Sequence, residues 1–387
     1  MRPPRPPVPG VLVPLLLAAV VPASAQHHDH QPDAHGWTTT VAAQAFLTLN
    51  LQERKFTDVR QVESTNWLML GATRTTARTR LTLVGMASAE PWTLRRLGSA
   101  QVFQAGETLD DLPLRDYQHP HDLLMAAEVR FDWQPSDRHG MFVAAGLVGS
   151  PALGPTPFMH RTSASLHPTA PLSHHMLDST HITHGVVTAG VAAGAWTAEA
   201  SLFRGREPDE DRVALEVGPL DSLAGRLGWQ RDGFRVQVSA ARVHEPEALE
   251  PGDAVKVTAS VEYASSTSSP WTWTAAVGRN GREDHVEWGG LVEAVRMLSP
   301  RWRAYGRAEL VDRFVLVDFD HAIRTGEERH LRSRVGALTV GLDRVLWRSG
   351  AGQIAMGGDL SVHHTPANLR DSYGRPVSVH VFIRATR

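Results

Sequence analysis

The stretch AVKVTASVEY, residues 254–263, sets Val255, Val257, Ala259, Val261 and Tyr263 in alternation with Lys256, Thr258, Ser260 and Glu262. In an extended chain successive side chains point to opposite sides, so the apolar set shares one face and the charged and hydroxyl set the other. Helical periodicity would scatter the same residues around an axis. The pattern recurs along the chain. Phe234, Val236, Val238 and Ala240 oppose Arg235, Gln237 and Ser239, with Gly233 at the turn. Trp196, Ala198, Ala200 and Leu202 oppose Thr197, Glu199 and Ser201, and Leu123, Met125, Ala127, Val129, Phe131 and Trp133 alternate with Glu128, Arg130 and Asp132. Near the C-terminus Ile354, Met356, Leu360 and Val362 oppose Gln353, Asp359 and Ser361, while Val377, Val379, Val381 and Ile383 oppose Ser378, His380 and Arg384.

About sixteen segments of this kind are expected, with fourteen and eighteen as bounds. They lie near 38–50, 66–73, 79–88, 123–133, 140–149, 183–192, 195–204, 222–230, 233–243, 254–263, 270–279, 285–297, 301–313, 334–345, 352–362 and 376–386. Their connections alternate in length. Tight turns such as Ala193-Gly194, Arg231-Asp232-Gly233, Ser299-Pro300 and Arg348-Ser349-Gly350-Ala351 follow every second strand. Most of the others are long and rich in Pro, His, Asp and Arg, the short 280–284 being the exception. A soluble β-sandwich would turn its charged face to water. The asymmetry of the connections points instead to an outer-membrane barrel, with short periplasmic turns and longer external loops. Beyond residue 26 no run of 18 apolar residues exists, so helices cannot cross a bilayer here and a closed barrel is the remaining option. The expected fold is all-β: one antiparallel transmembrane β-barrel over 37–387.

Trp37, Trp67, Trp133, Trp229, Trp271, Trp288, Trp302 and Trp347 fall mostly near strand ends, where an interfacial aromatic belt would place them. The chain ends on Arg387 rather than on an aromatic residue, which leaves Phe382 as the nearest aromatic for barrel assembly machinery to read.

Arg2 and Arg5 precede the apolar run Val11 to Val21, and Ala23-Ser24-Ala25 supplies small residues for cleavage. This layout is that of a secretory signal peptide over 1–25, leaving Gln26 as the first mature residue and an export route to the bacterial outer membrane. With no cysteine, neither disulfides nor thiolate chemistry contribute. The formal net charge of -2 and the lack of any basic tract argue against a nucleic-acid partner. The expected partners are outer-membrane lipid and the assembly machinery, with a divalent metal or small solute as ligand.

The residues with chemistry gather in the long connections. FMHRTSASLHPTAPLSHHMLDSTHITHG, residues 158–185, holds His160, His167, His174, His175, His181 and His184 with Met159, Met176 and Asp178. Imidazole, thioether and carboxylate donors suit copper or zinc, with copper favoured. Asp116, His119, His121 and Asp122 form a second set upstream. The tail 26–36 carries His27, His28, Asp29, His30, Asp33 and His35, a tract that binds metal weakly. No nucleophile elbow, phosphate loop or dinucleotide fingerprint is present. Ser179, His181 and Asp178 are neighbours on one connection, an order that rarely yields a hydrolase triad. No enzymatic activity is expected.

The blocks QHPHDL (118–123), GPTPFMHR (154–161), LSHHMLDSTHITHGVVTAGV (172–191) and FRGREPDEDR (203–212) resemble those of an uncharacterised family of exported bacterial outer-membrane β-barrel proteins. The resemblance covers most of the mature chain and implies fold and compartment, without an activity. Two functions then stand open. One is a porin-like channel for small solutes or metal ions, its lumen constricted by the connections 89–122 or 150–182 folding inward. The other is a non-transporting barrel that binds copper, zinc or a partner through its loops. A soluble periplasmic β-protein is the more distant third.

Overall fold

The structure, a computed structural model, describes residues 36–55, 58–110, 112–247, 252–264, 269–317 and 330–387. The expected signal peptide and the histidines of the N-terminal tail lie outside the described residues. The strands are, in chain order, β1 (Trp37–Glu53), β2 (Val59–Glu63), β3 (Asn66–Thr75), β4 (Thr79–Ala87), β5 (Ser99–Leu109), β6 (Leu112–Gln118) and β7 (Leu124–Ser136). There follow β8 (His139–Gly149), β9 (Thr183–Ala193), β10 (Trp196–Phe203), β11 (Ser222–Arg231), β12 (Phe234–Val243) and β13 (Ala254–Ala264). The last six are β14 (Trp271–Gly281), β15 (Val286–Met297), β16 (Trp302–Val317), β17 (His330–Ser349), β18 (Gly352–His364) and β19 (Val377–Thr386).

Sixteen of these form one closed antiparallel ring. β1 pairs with β3, β3 with β4 and β4 with β7, and each strand from β7 onward pairs with the next. β19 returns to β1 over Gln44↔Thr386 to Glu53↔Val377, so no edge is left open. All sixteen expected strands are present. Three more were not foreseen. The short β2 continues the β3 side along the far half of β1, and β5 with β6 makes a separate hairpin inside the connection 88–123.

The alternation in β13 reads as expected. Val255 and Val257 are 48% and 38% exposed on the outer wall, whereas Lys256 and Thr258 are each 2% exposed within. Leu68, Leu70, Val143, Val191, Leu227, Val292, Leu338 and Val381 continue the apolar outer band. Trp37, Trp133, Trp196, Trp271, Trp302 and Trp347 stand exposed at the short-turn end, as an aromatic girdle requires. Among the described residues, no helix is long and apolar enough to cross a membrane.

One expectation is corrected. Met125 was placed on the outer face, but register shifts at Met86/Ala87 and at Ala127/Glu128 change the phase of β7 there. Met125 turns inward against Met86, Val148, Met159 and Ile182. Phe382 points inward, in phase with Ser378, His380 and Arg384, edge-on to Phe46 with ring centres 5.2 Å apart and in a cluster with Leu166 and Tyr305.

The lumen is filled from the long-loop end. The segment 150–182, between β8 and β9, runs through the barrel and is mostly buried. Gly278 and Gly289 make room for it: a Cβ on either would meet Met176, 2.2 Å from its carbonyl oxygen or 2.6 Å from its Cγ. On the β3 to β11 side, nearer the short turns, inward residues such as Thr73, Thr82, Arg130, Glu199 and Arg226 are only half-buried.

Candidate metal centre in the barrel lumen

Residues 150–182 are held by donors and acceptors on successive strands. Ala152 N donates to Ser201 Oγ (2.7 Å) on β10, Gly154 N to Ser239 Oγ (2.8 Å) on β12 and Thr156 N to Glu262 Oε1 (3.0 Å) on β13. Arg161 Nε donates to Glu293 Oε1 (2.5 Å) on β15, and Ser173 Oγ to Glu309 Oε1 (2.9 Å) on β16. Arg161 is fully buried. Burial opposes its charge, yet Glu293 and Asp178 outweigh that cost and raise its pKa. Glu293 also accepts from Arg307 Nε (2.8 Å), so one carboxylate neutralises part of two guanidinium charges.

Two short turns bring imidazoles together. The helical turn His174–Leu177 and the 3-10 turn Ser179–His181 sit beside Phe158 and the chain at 119–122. Ring centres are 5.1 Å apart for His174 and His181, 5.6 Å for His121 and His181, and 5.4 Å for His174 and His175. Phe158 closes one side, 5.2 Å from His174 and 5.8 Å from His121.

Each of the three central rings is oriented through Nδ1. His121 Nδ1 donates to Glu90 Oε2 (2.8 Å), which also accepts the His121 main-chain N–H (2.9 Å). His174 Nδ1 donates to Asp178 Oδ1 (2.7 Å), and His181 Nδ1 to the Asp178 main-chain oxygen (2.7 Å). His181 Nε2 is buried without a hydrogen-bond partner among the described residues. Burial lowers the pKa of His174 and of His181, favouring the neutral form that ligates metals. Burial opposes the charge of His121 too, but the Glu90 carboxylate beside it wins and raises its pKa. A cavity of about 30 Å³ lies among His119, His121, His174, His175, His181, Asp122 and Glu207. One water needs roughly 10–15 Å³, so the space suits one ion with a water.

The other expected ligands are elsewhere. His160 packs on Trp67 at 5.1 Å, and His167 on Tyr305 at 4.7 Å. His184 lies by Asp122 (3.5 Å) and accepts from Glu216 N (3.1 Å). Met159 joins the apolar cluster of Met86 and Met125, and Met176 that of Leu177, Ala276 and Leu291. The assembled set is therefore one of imidazoles and carboxylates, without the thioethers. Sequence reading missed Glu90 and Glu207, neither of which has a histidine near it along the chain. Among the described residues, one group of three has donor atoms all within 4.8 Å of one another: His175, Glu207 and Glu247. The donors of His121, His174 and His181 are spread more widely.

No family model matches the chain, and no curated protein is similar to it in sequence. Solved structures are similar in fold. An anion-selective porin from Comamonas acidovorans superposes with a TM-score of 0.56 at 10% identity, over 91% of this chain and 100% of that one. OmpF of Salmonella typhi, in complex with daunomycin, gives 0.53 at 8% identity over 90% and 97%. Outer-membrane expressed OmpT of Vibrio cholerae gives 0.51 at 9% over 92% and 99%. The chain thus has a porin-like outer-membrane barrel fold.

Proposed function

We propose that the protein resides in the outer membrane as a barrel stoppered by its own 150–182 segment, and that it binds zinc or copper in the imidazole pocket instead of passing solutes freely. The apolar outer band and the tryptophan girdle support the compartment, with the long connections facing outward from the cell. The observation that carries the metal reading is the anchoring of His121, His174 and His181 through Nδ1 beside a cavity of about 30 Å³. Metal-binding histidines commonly donate their second ring nitrogen to a carboxylate or carbonyl in this way.

Magnitudes favour the same reading. With Zn–N of about 2.0–2.1 Å, two imidazoles on one tetrahedral ion place their ring centres about 5 Å apart. The rings here stand at 5.1 and 5.6 Å, close to that spacing. Packing of Met159 and Met176 into hydrocarbon removes the soft donors that favour Cu(I), which leaves Zn(II) and Cu(II).

Zinc titration of refolded barrel lacking residues 26–36, followed by calorimetry, tests the proposal free of the histidine tail. Saturable binding that weakens in the His121→Asn, His181→Asn variant is expected; binding unchanged in that variant contradicts the pocket. A channel is the second reading, favoured by a space of about 240 Å³ near the short turns, lined by Arg80, Arg130, Asp132 and Arg138.

A further inference from the structure

We propose a second cation site beside the imidazole pocket, formed by His175, Glu207 and Glu247, that takes a divalent ion of zinc type and fastens two outer connections to the stopper. Its three donors lie within 4.8 Å of one another and come from three separate segments. His175 belongs to the inner turn His174–Leu177, Glu207 to the connection 204–221 and Glu247 to the connection 244–253. Nothing in the histidine-rich blocks singles out the two glutamates.

The geometry is held independently of any ion. Glu207 N donates to the Pro246 carbonyl oxygen at 3.0 Å, which ties the two connections together next to both carboxylates. The His175 carbonyl oxygen accepts from Asn280 Nδ2 (3.2 Å) and Lys256 Nζ (3.4 Å), which fixes the backbone that carries the ring. His175 is buried, and the two glutamates are partly buried. Two carboxylates brought together away from bulk water repel one another and lose hydration, so a positive partner is required. Arg282 supplies part of it, 3.5 Å from Glu247 Oε2. A divalent ion among the three donors adds to it and accepts one nitrogen and two oxygens, the His and Glu set that leaves zinc a position for water.

This site does not depend on the imidazole pocket, so the two separate by mutation. Calorimetry with zinc chloride on the full-length barrel in detergent, at matched folding judged by heat-modifiable gel migration, is the test. Relative to the unaltered protein, Glu207→Gln with Glu247→Gln is expected to lose one equivalent of zinc, and His121→Asn with His181→Asn a different one. His175→Asn should reproduce the glutamine result, and it serves alone if the double variant does not fold. Zinc stoichiometry and affinity unchanged in the glutamine pair or in His175→Asn overturns the second site, whatever happens to the imidazole pocket. Loss of binding only in the His121, His181 variant leaves the pocket standing and removes this site.

Discussion

His174 Nδ1 stands 2.7 Å from Oδ1 of Asp178, one helical turn along the chain, and the same aspartate takes the His181 ring on its main-chain oxygen. Its other carboxylate oxygen accepts Phe158 N (2.9 Å) and lies 3.3 Å from an Arg161 nitrogen. One residue therefore orients two imidazoles and joins them to the buried ion pairs of the stopper. Asp178→Asn keeps the shape but offers only one carbonyl oxygen where two carboxylate oxygens now accept. Zinc affinity should fall by about 10–100-fold, the usual cost of losing a metal ligand's orienting partner, with the barrel still heat-modifiable on gels. Equal affinity in calorimetry would show that Asp178 orients nothing that binds metal.

Glu293 holds both Arg161 and Arg307 in the lumen. Glu293→Gln leaves two buried guanidiniums without their shared carboxylate, a loss of about 3–5 kcal/mol when one partner of a buried pair is removed. The strain falls on the inserted segment, because the ring of strand pairs remains. Limited proteolysis should then cut within 150–182 at enzyme concentrations that leave the unaltered protein intact.

The barrel is legible because a period of two runs through most of each wall strand, and because turn residues mark alternate connections. The residues that fill it are not. Thr258 reads as inward, but its own strand does not show that Gln237 and Ser239 of the neighbouring strand cover its hydroxyl and leave it 2% exposed. The β5–β6 hairpin is not legible because most of it lies inside the protein and outside the barrel wall, so lipid-out alternation does not apply to it. The histidine set was visible as composition, while its division was not: His121, His174 and His181 meet through contacts between distant connections, whereas His160 and His167 turn to Trp67 and Tyr305. Glu90 carries no local pattern, and Glu207, within FRGREPDEDR, has no histidine beside it.

Wall orientation gives a direct contrast. Arg at Val257 or Val238, both exposed on the outer band, should destabilise the barrel by about 2–4 kcal/mol if the position lies near mid-bilayer. Thr197, inward and beside the open space near the short turns, should accept Arg with a smaller loss. Urea unfolding in lipid vesicles measures all three; equal losses contradict the assignment of faces.

Burial, with Arg307 nearby, holds His167 at about 3, below its ordinary 6.5. Between these values the folded protein keeps it neutral while a released segment takes up a proton. Its contribution is whole above pH 6.5 and is lost as pH falls toward 3. In chelator-treated protein, protease cleavage within 150–182 should rise from pH 7.5 to pH values near 4.5, with a shallower rise in His167→Gln. The same slope in both proteins would assign the acid sensitivity to other groups.

Single-channel recording in planar bilayers reaches the central claim most directly. An unfilled sixteen-strand barrel encloses an aqueous lumen. If residues 150–182 stopper it, the unaltered protein gives little or no current, and replacing 151–181 by a short Gly-Ser linker produces steps of porin size. Steps of porin size from the unaltered protein, unchanged by that replacement, would contradict the stopper.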